Sequence, residues 1–198
     1  MVSHAARTDL VLICFVLAVL CSCAPSIAKV DHTKLSHRKQ PRINISELEK
    51  KIHYLINKER RKIGLPSLVW DDTLSRIAKK HSSDMAKRAF FSHNSPEGHD
   101  FLYRYRQGGY LCAVRMDDTI YGGAENIFQN NLYDAVTTVN GEAFYDWNSP
   151  EKIAETTVQG WMKSAGHRKN ILMPYWKNEG IGVVIAPDDK VYITQNFC

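Results

Sequence analysis

Three short stretches place polar side chains beside glycine or turn residues, where a side chain lines a cleft more readily than it fills a core. They are Ser92-His93-Asn94, Gly122-Gly123-Ala124-Glu125-Asn126-Ile127, and residues 161–172 (WMKSAGHRKNIL). Their chemistry is that of imidazole and carboxylate. A neutral imidazole nitrogen binds a divalent ion, zinc first among them, and a carboxylate completes or orients such a site. An imidazole whose tautomer is set by a carboxylate can instead act as general base on water. The third role is structural: a carboxylate that accepts backbone and imidazole hydrogen bonds ties separate segments together. The spacing itself selects none of these, since the chain has no His-Glu-x-x-His, no nucleophile elbow and no Ser/His/Asp set. Gly122-Gly123 lacks the lysine and the strand-glycine-helix setting of a phosphate loop.

The elements that must position these stretches are read from apolar spacing and capping residues. Ser46-x-x-Glu49 predicts a capping box at the start of a first helix, with Leu48, Ile52, Leu55 and Ile56 on one face and Gly64 and Pro66 at its end. A second helix, capped by Asp71 or Asp72, carries Leu74, Ile77, Ala78, His81 and Met85, so His81 is expected as a packing residue rather than a ligand. Residues 98–106 predict a short helix broken by Gly108-Gly109, followed by irregular chain to Gly123. Asn140-Gly141, inside residues 136–145, predicts a tight surface hairpin. Ser149-Pro150 opens a further helix with Ala154, Thr157, Val158, Trp161 and Met162 on its inner face, running into Gly166. Residues 180–186 and 190–197 are β-rich and flank Pro187-Asp188-Asp189, which predicts a terminal antiparallel hairpin. Helices first and strands last give an α+β class.

Taken in order between that second helix and the terminal hairpin, the three stretches resemble the CAP superfamily (cysteine-rich secretory proteins, antigen 5 and pathogenesis-related 1 proteins) over about residues 45–198. The run Trp161-x-x-Ser164-x-Gly166-His167-Arg168-x-Asn170-Ile171-Leu172 is similar to the prokaryotic branch. The resemblance implies an α-β-α sandwich with a small antiparallel sheet between helices. It also implies a cleft to which His93, Glu125 and His167 contribute three members of the family's His, Glu, Glu, His tetrad, with Asn94, Asn126 and Ser164 beside them. In animal and plant relatives a glutamate lies three positions after a helix tryptophan; here that position is Ser164, which removes a negative charge. In such a cleft His93 and His167 are the candidate metal ligands, zinc being the implied ion, and Glu125 is the candidate base.

Residues 10–20 are an unbroken apolar run preceded by Arg7. This run falls short of the roughly 20 residues needed to cross a bilayer and reads as a secretory signal. Ser26-Ile27-Ala28 fits cleavage after Ala28, while Leu20-Cys21-Ser22-Cys23 also resembles a lipoprotein box that would leave a lipid anchor at Cys23. The expected organisation is a signal over residues 1–28, a basic flexible linker over 29–42 and a domain over 43–198. Removing the signal leaves Cys112 and Cys198, which in an oxidising compartment read as a disulfide, or else as two buried thiols. The bridge would close a loop of roughly 90 residues, worth about 4–5 kcal/mol in the chain-entropy account.

The formal net charge is +5, and residues 29–62 hold eleven Lys or Arg against Asp31, Glu47, Glu49 and Glu59. That bias suits an anionic cell surface, or else a solvated tail and helix face. No nucleic-acid module is recognisable, and no transmembrane span is expected in the mature form. Relatives are associated with lipid binding, defence and extracellular signalling. The expectation is therefore a secreted, non-enzymatic binding module for a small hydrophobic or cell-surface ligand at the His93, Glu125, His167 cleft. Tyr103, Tyr105, Tyr110, Phe128 and Tyr133 are candidates for its apolar wall. The competing readings are a metal-assisted hydrolase using the same cleft and a structural protein of the cell surface.

Overall fold

A computed structural model describes residues 40–198. The expected signal, the Cys23 anchor and nearly all of the 29–42 linker lie outside the described residues. Within them the chain forms α1 (Ile45–Lys62), β1 (Val69–Trp70), α2 (Asp72–Arg88), α3 (Phe101–Gln107), β2 (Val114–Met116) and β3 (Thr119–Tyr121). There follow β4 (Ala124–Asn131), β5 (Tyr133–Val139), β6 (Glu142–Trp147), α4 (Pro150–Lys163), α5 (Ala165–Ile171), β7 (Asn178–Ile185) and β8 (Lys190–Phe197).

A four-stranded sheet of order β1-β7-β8-β4 lies between two helical layers, which is the expected α-β-α sandwich. It is antiparallel except for β1, two residues that run parallel to β7. One face carries α2, the other α1, α4 and α5. The main core joins Leu48, Ile52 and Ile56 of α1 to Ile153, Val158 and Trp161 of α4 and to Ile181, Val183, Ile193 and Phe197 of the sheet. Opposite, Met85 of α2 packs with Ile127 and Tyr192.

The approach of α2 to β7 is set by two glycines. A Cβ on Gly180 would stand 2.0 Å from the Ser75 amide nitrogen, and one on Gly182 2.0 Å from that of Lys79. Backbone touches backbone there, and Ser75 and Ser82 Oγ donate to the carbonyls of Ile181 and Gly182, each at 2.8 Å.

Local signals are matched by α2, capped by Asp71, and by α4, with Ser149 as cap and Pro150 in its first turn. The expected hairpin is β5–β6, turning at Asn140 and Gly141 with positive φ at both. Cys112 and Cys198 are disulfide-bonded, with Cα atoms 5.7 Å apart.

The capping box at Ser46 is a correction. Asn44 caps α1, its side chain accepting from Glu47 N–H, and Glu49 is drawn off to the sheet, where its carboxylate accepts the Val183 N–H at 3.0 Å. An edge amide of β7 in the interior outcompetes the helix end for that acceptor, because an unpaired buried N–H is the costlier loss. Two placements bear on the site: residues 124–127 belong to β4, and Gly166 lies in the short helix α5.

Gly182→Ala is expected to lower the unfolding free energy by about 3 kcal/mol or more, since a methyl group there meets backbone that cannot yield. Urea denaturation checks this; a loss below about 0.5 kcal/mol would show that α2 can move off the sheet.

Candidate functional site

The site is built at the N-terminal end of β4, the edge strand opposite β1. Alternation along a strand sends neighbouring side chains to opposite faces. Glu125 therefore turns toward α2 and α3, and Asn126 toward α4 and α5. Entry into the strand is tight: Gly123 has φ +110°, and a Cβ there would lie 2.6 Å from the Phe197 carbonyl and 2.8 Å from the Tyr105 ring.

The Glu125 side chain is 1% exposed. Its Oε1 accepts from His93 Nδ1–H at 3.0 Å, and Arg104 on α3 donates to Oε2 at 2.7 Å. With its amide turned to satisfy both neighbours, Asn196 of β8 donates to Oε2 at 3.3 Å and accepts from the Ala78 N–H of α2. His81 stands 3.9 Å from Oε1, but its Nε2–H is committed to the Ser92 carbonyl at 3.0 Å, so it is the packing histidine expected. Arg104 also donates to the carbonyls of His93 and His99, fixing the loop that carries His93.

On the other face, Asn126 is fully buried. It donates to the His167 carbonyl at 3.2 Å and to Gln195 Oε1 at 3.1 Å, and accepts from Asn170 at 2.9 Å. Asn170 also reaches the Glu125 carbonyl at 3.2 Å. The far end of α5 is held by Arg60, whose Nη1 donates to the carbonyls of Ile171 and Met173 at 2.7 and 2.9 Å. These bonds present the His167 imidazole toward that of His93, with ring centroids 6.4 Å apart.

His93 therefore contacts Glu125 directly, and His167 faces His93 without touching Glu125 through its ring. Asn126 does not line the cleft: it positions α5 from beneath. Asn94 is exposed in a turn whose N–H donates to Ser92 Oγ, and Ser164 links α4 to α5 without capping a backbone N–H through its side chain. The expected aromatic wall does not form. The Tyr105 hydroxyl lies 3.0 Å from the Phe197 carbonyl in the core, with Tyr110 packed edge-on against its ring. Tyr103 stacks on His99, Phe128 packs on Trp161, and Tyr133 belongs to the β5–β6 arm. Arg104 escaped the sequence reading because its partner is 21 positions away and nothing local marks the pair.

Zinc at a catalytic centre takes three protein ligands. Both Glu125 oxygens are already engaged by His93 and Arg104, and Ser164 supplies no charge. Among the described residues no group of three or more His, Cys, Asp or Glu is arranged to hold a metal. His93 and His167 alone are too few donors, so the residues present do not fit a zinc site.

A family model for the cysteine-rich secretory protein family, CAP, matches residues 53–197. The chain belongs to the CAP family. It is 32% identical over 162 residues to the uncharacterized protein YkwD of Bacillus subtilis, covering 81% of this chain and 50% of that one. It is 34% identical over 149 residues to the uncharacterized membrane protein YlbC of the same organism, covering 75% and 34%. This CAP chain therefore spans half or less of the length of those curated relatives. Among solved structures, an extracellular SCP-domain protein of Bacillus anthracis superposes with a TM-score of 0.55 at 27% identity, covering 84% of this chain and 49% of that one. An outer surface protein of Borrelia burgdorferi shares the fold at a TM-score of 0.55 and 16% identity, covering 80% and 97%. No helix among the described residues is long and apolar enough to cross a membrane.

Burial, and then the neighbouring His93, hold the His167 imidazole below its ordinary value; burial likewise lowers His81 against the pull of Glu125. Near pH 6.5 both therefore bind fewer protons in the folded CAP domain than in the unfolded chain, where an ordinary histidine is about half protonated. Their contribution to stability is therefore present above about pH 6.5 and is lost as pH falls below it. NMR titration is expected to place the His167 midpoint below about 6.5 and to raise it in His93→Ala. A midpoint unmoved by that substitution would show that the two rings do not share a site.

Proposed function

We propose that this CAP domain is a non-catalytic extracellular binding module for an anionic component of a cell surface, engaged at the rim of the His93, His167 cleft. The observation that carries this reading is the state of Glu125: a buried carboxylate held by Arg104 and His93 has no free lone pair facing solvent with which to activate water. What the cleft offers outward is the half-exposed His93 and the ring of His167. Beside them, Lys163, Arg168 and Lys169 are exposed on α4 and α5. The basic bias of residues 29–62 adds long-range attraction to the same kind of partner. The Bacillus anthracis neighbour, described as extracellular, supports the setting.

Binding of the purified protein to anionic vesicles and to isolated cell-wall material, with and without excess zinc, tests the reading. The expected result is retention that falls about tenfold or more in Arg168→Gln/Lys169→Gln and at high salt, with no soluble fragments released. Zinc-dependent release of fragments, abolished in Glu125→Gln, would instead establish the hydrolase.

A further inference from the structure

A second histidine and carboxylate pair joins α1 to β7, apart from the histidines of the cleft. His53 projects from the middle of α1 with 19% of its side chain exposed, and its Nδ1 stands 2.6 Å from Oε1 of Glu179, whose side chain solvent does not reach. Its other ring nitrogen, Nε2, is 3.3 Å from the Asn57 amide nitrogen, one turn along the helix. That amide is bracketed by a single residue of the chain entering β1. Asn57 Nδ2 donates to the Leu68 carbonyl at 3.0 Å, and Asn57 Oδ1 accepts the Leu68 N–H at 2.7 Å. Both residues are buried, so opening the bracket leaves backbone polar groups unpaired in the interior.

The bracket fixes the tautomer of the ring. An amide NH2 held toward Nε2 makes that nitrogen an acceptor, so the proton of a neutral His53 sits on Nδ1 and is donated to Glu179. A second proton, arriving from solvent at Nε2, sets N–H against N–H across 3.3 Å. The same proton makes the bond to Glu179 charge-assisted and stronger. One side of the ring gains what the other loses.

The surrounding charges decide which side yields. Arg60, further along α1, faces the Glu179 charge, but its hydrogen bonds go to the carbonyls of Pro66, Ile171 and Met173. Trp70 of β1 meets His53 edge-on, with Lys50 of α1 over its ring and Asp72 of α2 accepting its indole N–H; these two charges are of opposite sign. Glu179 therefore keeps the imidazolium, and the Asn57 contact gives way. We infer that His53 is a pH-operated latch on the segment joining α1 to β1: neutral, it supports the Asn57 bracket on Leu68; protonated, it releases it. Strand β1 stays on β7 through the Val69 and Asp71 N–H bonds, so the opening is confined to the residues before it. Two of these, Pro66 and Ser67, line a cavity of about 820 Å³ together with Val114 and Arg115 of β2, and the proton is read out at that wall.

NMR of the purified protein between about pH 8 and pH 5, the span in which histidines change charge, tests the latch. At the upper end the His53 ring nitrogens should report the Nδ1–H tautomer. On acidification the protection of the Leu68 N–H against hydrogen exchange should fall by about tenfold or more, in step with the His53 ring signals, while the β8 amides keep theirs. In His53→Gln, which has no ring to protonate, Leu68 protection should not change with pH. An Nε2–H tautomer at the upper end, constant Leu68 protection in the unaltered protein, or a loss that persists in His53→Gln would each overturn the latch. The first two are read without any substitution, so they decide the matter even where the variant does not fold. None of these outcomes depends on what the cleft binds.

Discussion

A buried carboxylate must be compensated where it stands, and around Glu125 that requirement organises the domain's working end. Leaving one charge unpaired in the interior costs more than most single packing defects. The chain meets the demand with groups from four separate places: the His93 loop, α3 through Arg104, β8 through Asn196, and α2 through His81 nearby. Three of these groups bring second contacts, Arg104 to the His93 and His99 carbonyls, Asn196 to the Ala78 N–H and His81 to the Ser92 carbonyl. The carboxylate is thus a knot in the backbone of an otherwise irregular loop. Ser164 puts no second carboxylate beside it, and Arg104 balances the Glu125 charge at 2.7 Å.

The sheet makes that knot possible. Because α2 sits on β7 through Gly180 and Gly182, His81 and Ala78 come close enough to reach β4 and β8 beneath them. Asn126 does the corresponding work on the other face, where one amide side chain holds α5 through the His167 carbonyl and Asn170. Its amide also bonds Gln195, which in turn donates to Glu179, a fully buried carboxylate paired with His53 at 2.6 Å. Adjacent strand positions therefore anchor both sides of one cleft, and a polar chain crosses the sheet's interior from α5 to α1.

Apolar periodicity and caps exposed α2, α4 and the two hairpins because those signals are local: a serine before a proline, an Asn-Gly turn, and Leu74, Ile77, Ala78 and Met85 on one helix face. The short α5 and the strand β4 were not legible in the same way. Residues 124–131 mix Glu125, Gln129 and the asparagines 126, 130 and 131 with Ala124, Ile127 and Phe128, and only pairing to β8 along its length makes them a strand. The resemblance named His93, Glu125 and His167, and the fold sets His93 on Glu125 and turns the His167 ring toward His93. It could not reveal Arg104, whose meaning comes from a contact between α3 and β4. Glu49 shows the converse: a strong local motif gave way to a tertiary partner.

The central claim is that Glu125 acts through its charge pairing with Arg104 and not as a solvent-facing base. A double-mutant cycle in urea denaturation tests it most directly. Arg104→Met alone should cost about 3–5 kcal/mol, because it strands the buried carboxylate, whereas Arg104→Met with Glu125→Gln should recover about 2 kcal/mol or more of that loss. Additive costs, with the double variant less stable than either single one, would contradict the account and return Glu125 to the groups free to do chemistry.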